Sequence, residues 1–100
     1  MERDRFEFDG TLWRWPGGNW FFVTLPFDIA DQIDGTAPAA HVGFGSVRVE
    51  VTIGSSTWRT SLFPDKQAES FVLPVKQAIR RAERLDDGDD VSVGLRVLAE

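Results

Sequence analysis

Between Ser46 and Ile53, the residues Val47, Val49, Val51 and Ile53 alternate with Arg48, Glu50 and Thr52. A period of two becomes one apolar and one polar face only on a pleated strand. The valine face of such a strand must be covered, and the rest of the chain supplies the cover in the same form. From Arg5 to Trp15, Phe6, Phe8 and Leu12 share one face and Thr11, Trp13 and Trp15 the other. Pro16-Gly17-Gly18-Asn19 then turns the chain into Trp20 to Leu25, an aromatic and β-branched run, so the two segments predict a hairpin. After Gly54-Ser55-Ser56 comes Thr57 to Phe63, where Trp58, Thr60 and Leu62 oppose Arg59, Ser61 and Phe63. Both faces of that strand carry a large apolar residue, which leaves its inward side open. A brief strand over Ser70 to Leu73 and a last one, where Val91, Val93, Leu95 and Val97 alternate with Ser92, Gly94, Arg96 and Leu98, bring the total to six.

Two segments break this rhythm with helical spacing. Phe27, Ala30 and Ile33 follow Pro26 until Gly35, and Val75, Ala78, Ile79 and Ala82 follow Pro74, with Leu85 extending the stripe. Proline suits the first position of a helix, and the turn centred on Gly88 ends the second one. Gly35 to Gly45 has no clear period and is the longest loop candidate. Leu25-Pro26 and Leu73-Pro74 also sit in similar surroundings, an internal echo that suggests two half-barrels. Six short strands remove their edges most simply by closing on one another. The expected fold is therefore mostly β: a small closed six-stranded β-barrel with two short helices over its ends, the longer one near the C-terminus. All 100 residues are expected to form one domain.

At this length folding removes roughly 65% of the extended chain's surface from water, enough for a core without staples. The absence of cysteine excludes disulfides, thiolate metal sites and cysteine nucleophiles. The charged start, Met1 to Arg5, has no apolar run behind it, so neither a secretion signal nor a membrane span is expected and a cytoplasmic location is. A net charge of -5 repels phosphate backbones at long range, so nucleic acid starts as a disfavoured partner.

Taken in order, the segments Leu12-Trp13-Arg14-Trp15, Phe22-Val23-Thr24-Leu25-Pro26, Gly43-Phe44-Gly45-Ser46-Val47-Arg48-Val49, Thr60-Ser61-Leu62-Phe63-Pro64-Asp65, Leu73-Pro74-Val75-Lys76-Gln77-Ala78-Ile79-Arg80 and Gly88-Asp89-Asp90-Val91 closely resemble the DUF1905 family over nearly the whole chain. The resemblance implies a small closed β-barrel and brings no established activity; some members are fused to a second domain similar to the YdeI type. Asp65 to Ser70 lacks the glycine usual in that family at this place, and Thr36 to Val42 departs from its pattern. Leu73-Pro74, a basic helix and Gly88-Asp89-Asp90-Val91 are also similar in outline to AbrB-type swapped-hairpin proteins, which bind DNA as dimers. The overall charge argues against carrying that function over.

Two constellations could bind something. Lys76, Arg80 and Arg84 fall at intervals of four on the second helix, with Arg81 beside them. Like charges at that spacing repel by about 0.2 to 0.5 kcal/mol per pair, so a negative group is expected opposite them. It could be internal, from Asp86, Asp87, Asp89 and Asp90, or a bound anion helped by the helix start near Val75 and Lys76. The second constellation is Trp13, Trp15, Trp20 and Trp58, of which Trp13 and Trp15 lie on the face opposite Phe6, Phe8 and Leu12. These indoles either form a secondary core under the loops or stack on a planar ligand, with Arg14, Arg48 or Arg59 as neighbours. Lys76, Arg80, Arg59, Trp13 and Trp15 are thus the candidate ligand residues.

Catalytic signals are poor. The single histidine, His41, has no spaced Ser or second His. The Asp86 to Asp90 run lacks the spacing of a calcium loop, and Gly43-Phe44-Gly45 lacks a dinucleotide loop's third glycine and reads instead as a bulge. No metal or cofactor is expected. The expected function is a non-enzymatic binding module for a small anionic or aromatic ligand or a protein partner, as a monomer or weak homo-oligomer. AbrB-like nucleic-acid binding and an enzyme of unknown reaction stand as alternatives.

Overall fold

The computed structural model describes residues 5–36, 41–42 and 45–98. The strands are β1 (Arg5–Arg14), β2 (Phe21–Thr24), β3 (His41–Val42), β4 (Ser46–Ile53), β5 (Ser56–Asp65), β6 (Ser70–Pro74) and β7 (Asp90–Val97), with helices α1 (Phe27–Thr36) and α2 (Gln77–Glu83). Every strand pairing is antiparallel, in the order β4-β5-β6-β2-β1-β7, and β7 pairs back onto β4 to close a six-stranded barrel. Closure removes the exposed edges that short twisted strands otherwise present. β3 adds two residues beside Ser46 and Val47, on the edge of β4 that β7 occupies further along.

The valine face of β4 does point into the barrel: Val47, Val49 and Val51 are fully buried. Phe6, Phe8 and Leu12 enter from β1, and Val91, Val93, Leu95 and Val97 from β7. On β5 the open question is resolved in favour of Trp58 and Leu62, which are buried, while Phe63 faces outward. The β4–β5 hairpin turns on Gly54, whose φ of +59° supplies the left-handed residue that a two-residue loop needs first.

The helices correct the expectation about length. The longer helix is α1, with ten residues, whereas α2 near the C-terminus has seven. Pro74 does not open α2. It stays in the ladder opposite Phe22, and Val75 N–H still donates to Phe21 O at 2.9 Å, so helical backbone begins only after Lys76. At the other end Arg84 takes a left-handed φ of 57° and closes the helix early.

The barrel is built from two matched halves. Leu25 N–H donates to Phe71 O at 3.0 Å, as Val75 N–H does to Phe21 O; Trp13 opposite Phe22 corresponds to Phe63 opposite Val72; α1 starts at Phe27 and α2 at Gln77. Each matched pair lies fifty positions apart, so Leu25-Pro26 corresponds to Val75-Lys76. The Leu-Pro echo in the sequence is two residues out of register with this repeat.

Candidate functional site

At the end of the barrel beneath α2, the β1–β2 hairpin, β5 and the start of α2 surround an open cleft of about 710 Å³. Its floor is apolar. Phe21 and Trp58 are each 9% exposed and Val75 is buried. Its rim is cationic: Arg14 from the end of β1, Arg59 from β5, Lys76 just before α2, and Arg80 within it. Trp20, 66% exposed, forms part of the lip. Among the described residues, no aspartate or glutamate lines the cleft.

Local bonding fixes two of the cations. The Arg80 guanidinium lies over the Phe21 ring at 3.8 Å from its centroid, and its Nε–H donates to Val75 O at 3.2 Å. This leaves the terminal amino groups as its remaining donors. Arg14 braces the hairpin turn through Nε–H to Gly18 O at 2.7 Å and Nη2 to Asn19 Oδ1 at 3.3 Å. Arg59 reaches the Glu50 carboxylate at 3.7 Å, but that acid is shared with Arg96 at 3.3 Å. Among the described residues, no acid lies within ion-pair distance of Arg14, Lys76 or Arg80.

The Asp86 to Asp90 run does not answer the basic stripe, because its acids hold their own turn. Asp86 N–H donates to Asp89 Oδ2, Asp87 N–H to Asp86 Oδ1, and the Arg14 backbone N–H to Asp87 Oδ1. Backbone bonds between Leu12 and residues 88 and 89 tie that turn to β1. The stripe is itself interrupted: Lys76 is extended, Arg84 is left-handed, and only Arg80 of the three is helical. Nor does Val75 offer a free N–H, as that donor is used on Phe21.

Glu83 anchors α2 from its far end. Its carboxylate accepts bonds from Ser56 Oγ at 2.6 Å and Ser55 Oγ at 3.2 Å. The Ser56 bond is the main cause that holds this carboxyl below its ordinary pKa. A side chain at Gly54 would collide with the same carboxylate, so the turn and the helix are fitted to each other.

Of the five candidate ligand residues, Lys76, Arg80 and Arg59 come together in the cleft, and Trp13 and Trp15 do not. The two indoles lie on the barrel's outer surface with Phe22, at centroid distances of 5.2 Å from Trp13 to Phe22 and 6.2 Å between the indoles. Trp13 donates from Nε1 to Thr24 Oγ1 at 2.9 Å and is half-buried. Trp15 is 47% exposed beside a separate groove bordered by Pro64 and Lys66. Phe21 carries no site signal in the sequence, Trp20 and Trp58 stand there only as members of the tryptophan constellation, and Arg14 only as a neighbour of the Trp13/Trp15 pair. Arg14 carried a usable signal: it continues the core face of Phe6, Phe8 and Leu12 at the end of β1, where an inward arginine meets a barrel mouth. The His41 side chain and residues 37–40 and 43–44 lie outside the described residues, and with them the proposed bulge.

The matched halves supply a comparison within the molecule. The positions corresponding to Arg14, Arg59, Lys76 and Arg80 are Pro64, Asp9, Pro26 and Ala30. None of these four matched positions carries a cation, so closure of the barrel does not require the charge of this cleft.

The fold defines a small closed antiparallel β-barrel domain with a cationic, aromatic-floored cleft at one end. The chain belongs to the DUF1905 family, a domain of unknown function, whose model matches residues 8–95. No curated protein matches the chain. No helix among the described residues is long and apolar enough to cross a membrane, and no described cluster of His, Asp and Glu could hold a metal ion.

Proposed function

We propose that this protein is a binding module that takes a small anion in the cleft formed by Arg14, Arg59, Lys76 and Arg80. The observation that carries this reading is four cations lining one cleft with no acid among the described lining residues, in a chain whose net charge is -5. Gathering like charges costs free energy that a bound counter-charge returns. Arg80 is also oriented in advance by Phe21 and Val75, so less side-chain freedom is lost when an anion arrives.

Calorimetric titration with inorganic phosphate and with benzoate tests the proposal. Binding should weaken with added salt and fall about 10- to 100-fold in Arg80→Met, the range for a lost charge-assisted hydrogen bond. No heat and no change in Trp fluorescence with either anion at low salt would overturn it.

One observation favours a second reading. Arg81 and Arg84 are exposed, have no acid partner among the described residues, and extend positive charge along α2 beyond the cleft. AbrB-like binding of duplex DNA would use them. Salt-dependent duplex binding lost in Arg81→Glu would favour that reading, because Arg81 does not line the cleft.

A further inference from the structure

We infer that the anion taken by this cleft carries a planar aromatic ring, with the charge at the Lys76/Arg80 rim and the ring against Trp20 and the Phe21/Trp58 floor. The inference rests on the anion reading above and adds the chemical class of the ligand, an aryl phosphate or aromatic carboxylate.

A bare anion would use only half of what lines the cleft. Trp20 is the most exposed of the large apolar side chains described, at 66%, and although its backbone pairs with Trp15 across the hairpin turn, its side chain lines the cationic cleft. An indole at such a place offers a flat face with little rotamer freedom to lose. On the floor, one face of Phe21 is covered by the Arg80 guanidinium. Charge and ring are thereby held side by side, so a ligand that meets the free amino edge of Arg80 is brought next to the aromatic surface.

The matched half sharpens the point. The position corresponding to Trp20 is Ser70, whose hydroxyl donates to Leu25 O at 2.7 Å. The exposed indole and the four cations thus line one end of the barrel, and the matched positions at the other end carry neither.

Naphthyl phosphate, naphthoate, inorganic phosphate and uncharged naphthyl methanol are titrated by calorimetry into the wild type, Trp20→Ala and Arg80→Met. The indole Nε1–H resonances of Trp20 and Trp58 are followed in parallel. Naphthyl phosphate should bind the wild type at least about tenfold tighter than inorganic phosphate, and should lose about three- to tenfold of that in Trp20→Ala, where inorganic phosphate is unaffected. Arg80→Met should weaken both. The ratio of naphthyl phosphate to naphthoate identifies which anionic group the rim prefers. Equal affinity for naphthyl and inorganic phosphate, or an unchanged Trp20→Ala, overturns the ring and leaves the anion reading standing. Tighter binding of naphthyl methanol than of either aryl anion, or no binding of any anion, overturns both. Trp20 is exposed, so its replacement leaves the core intact; Trp20→Phe should restore most of the ring's contribution.

Discussion

Lys76 stands where α2 begins, with extended backbone angles (φ -71°, ψ 161°) and no side chain bonding the helix's first N–H groups. It is the N-cap position, filled by a residue that caps poorly and adds a positive charge to a cleft already holding three. Replacing it by Ser supplies a capping hydroxyl, for about 1 kcal/mol of stability. Replacing it by Asp supplies the cap and also sets a negative charge among Arg14, Arg59 and Arg80, for about 0.5 to 1 kcal/mol more at this exposed site. In a domain of this size 1 kcal/mol moves Tm by about 4 to 8 °C, so Lys76→Ser should melt about 4 to 8 °C above the wild type and Lys76→Asp about 2 to 8 °C above Lys76→Ser. Thermal unfolding followed by circular dichroism at low salt and again at high salt reads both steps. The Asp increment should shrink with salt; the Ser increment should shrink less, because its capping bond persists while its relief of like charge is screened. A Lys76→Asp variant no more stable than Lys76→Ser at low salt would refute the claim that the cleft is electrostatically unsatisfied. The same variant should bind phosphate at least tenfold more weakly, the exchange of function for stability expected when a binding group displaces the locally best residue.

Glu83 gives a pH prediction. Its carboxyl is held below the ordinary value of 4.5 mainly by Ser56, so its contribution is present above that pH and is lost as pH falls through the lower folded-state value. Thermal melts of Glu83→Gln against the wild type should therefore differ near neutrality and converge in acid; a gap that stays constant with pH would contradict the assignment. In the core, Leu12 and Leu62 are matched positions, both fully buried. Leu12→Ala and Leu62→Ala should each cost about 2 to 5 kcal/mol in urea unfolding, with similar values if the halves are equivalent in packing as well as in pairing.

Much of the fold was legible because alternation fixes which side of a strand faces inward. Ser46 to Ile53 has the bounds its valines predict, and β1 and β7 bury the faces that their phenylalanines and valines mark. The helices were less legible, because a proline followed by apolar residues at helical spacing looks the same whether the helix starts at once or three residues later. The deciding bond, Val75 N–H to Phe21 O, joins residues far apart in the chain. β3 was missed for a different reason: two residues are too few to establish any period.

The site was half legible. Lys76 and Arg80 share a helical spacing, and Arg59 lies on the polar face of its strand, but nothing local brings these three to one barrel end. Trp20 and Trp58 could not be sorted from Trp13 and Trp15, since burial of an indole depends on how the barrel closes. The aspartate run misled in the other direction. Its proximity in sequence to the arginines suggested pairing, whereas its backbone bonds to Leu12 turn it toward β1.

The central claim is that an anion settles among Arg14, Arg59, Lys76 and Arg80. A phosphate titration of isotopically labelled protein, following the arginine Nε–H resonances, tests it most directly. The claim predicts that Arg80 and Arg59 shift saturably and together with the Trp58 indole, while Arg81, Arg84 and the Glu50-paired Arg96 stay in place. Shifts spread evenly over all the arginines, or confined to Arg81 and Arg84, would contradict it.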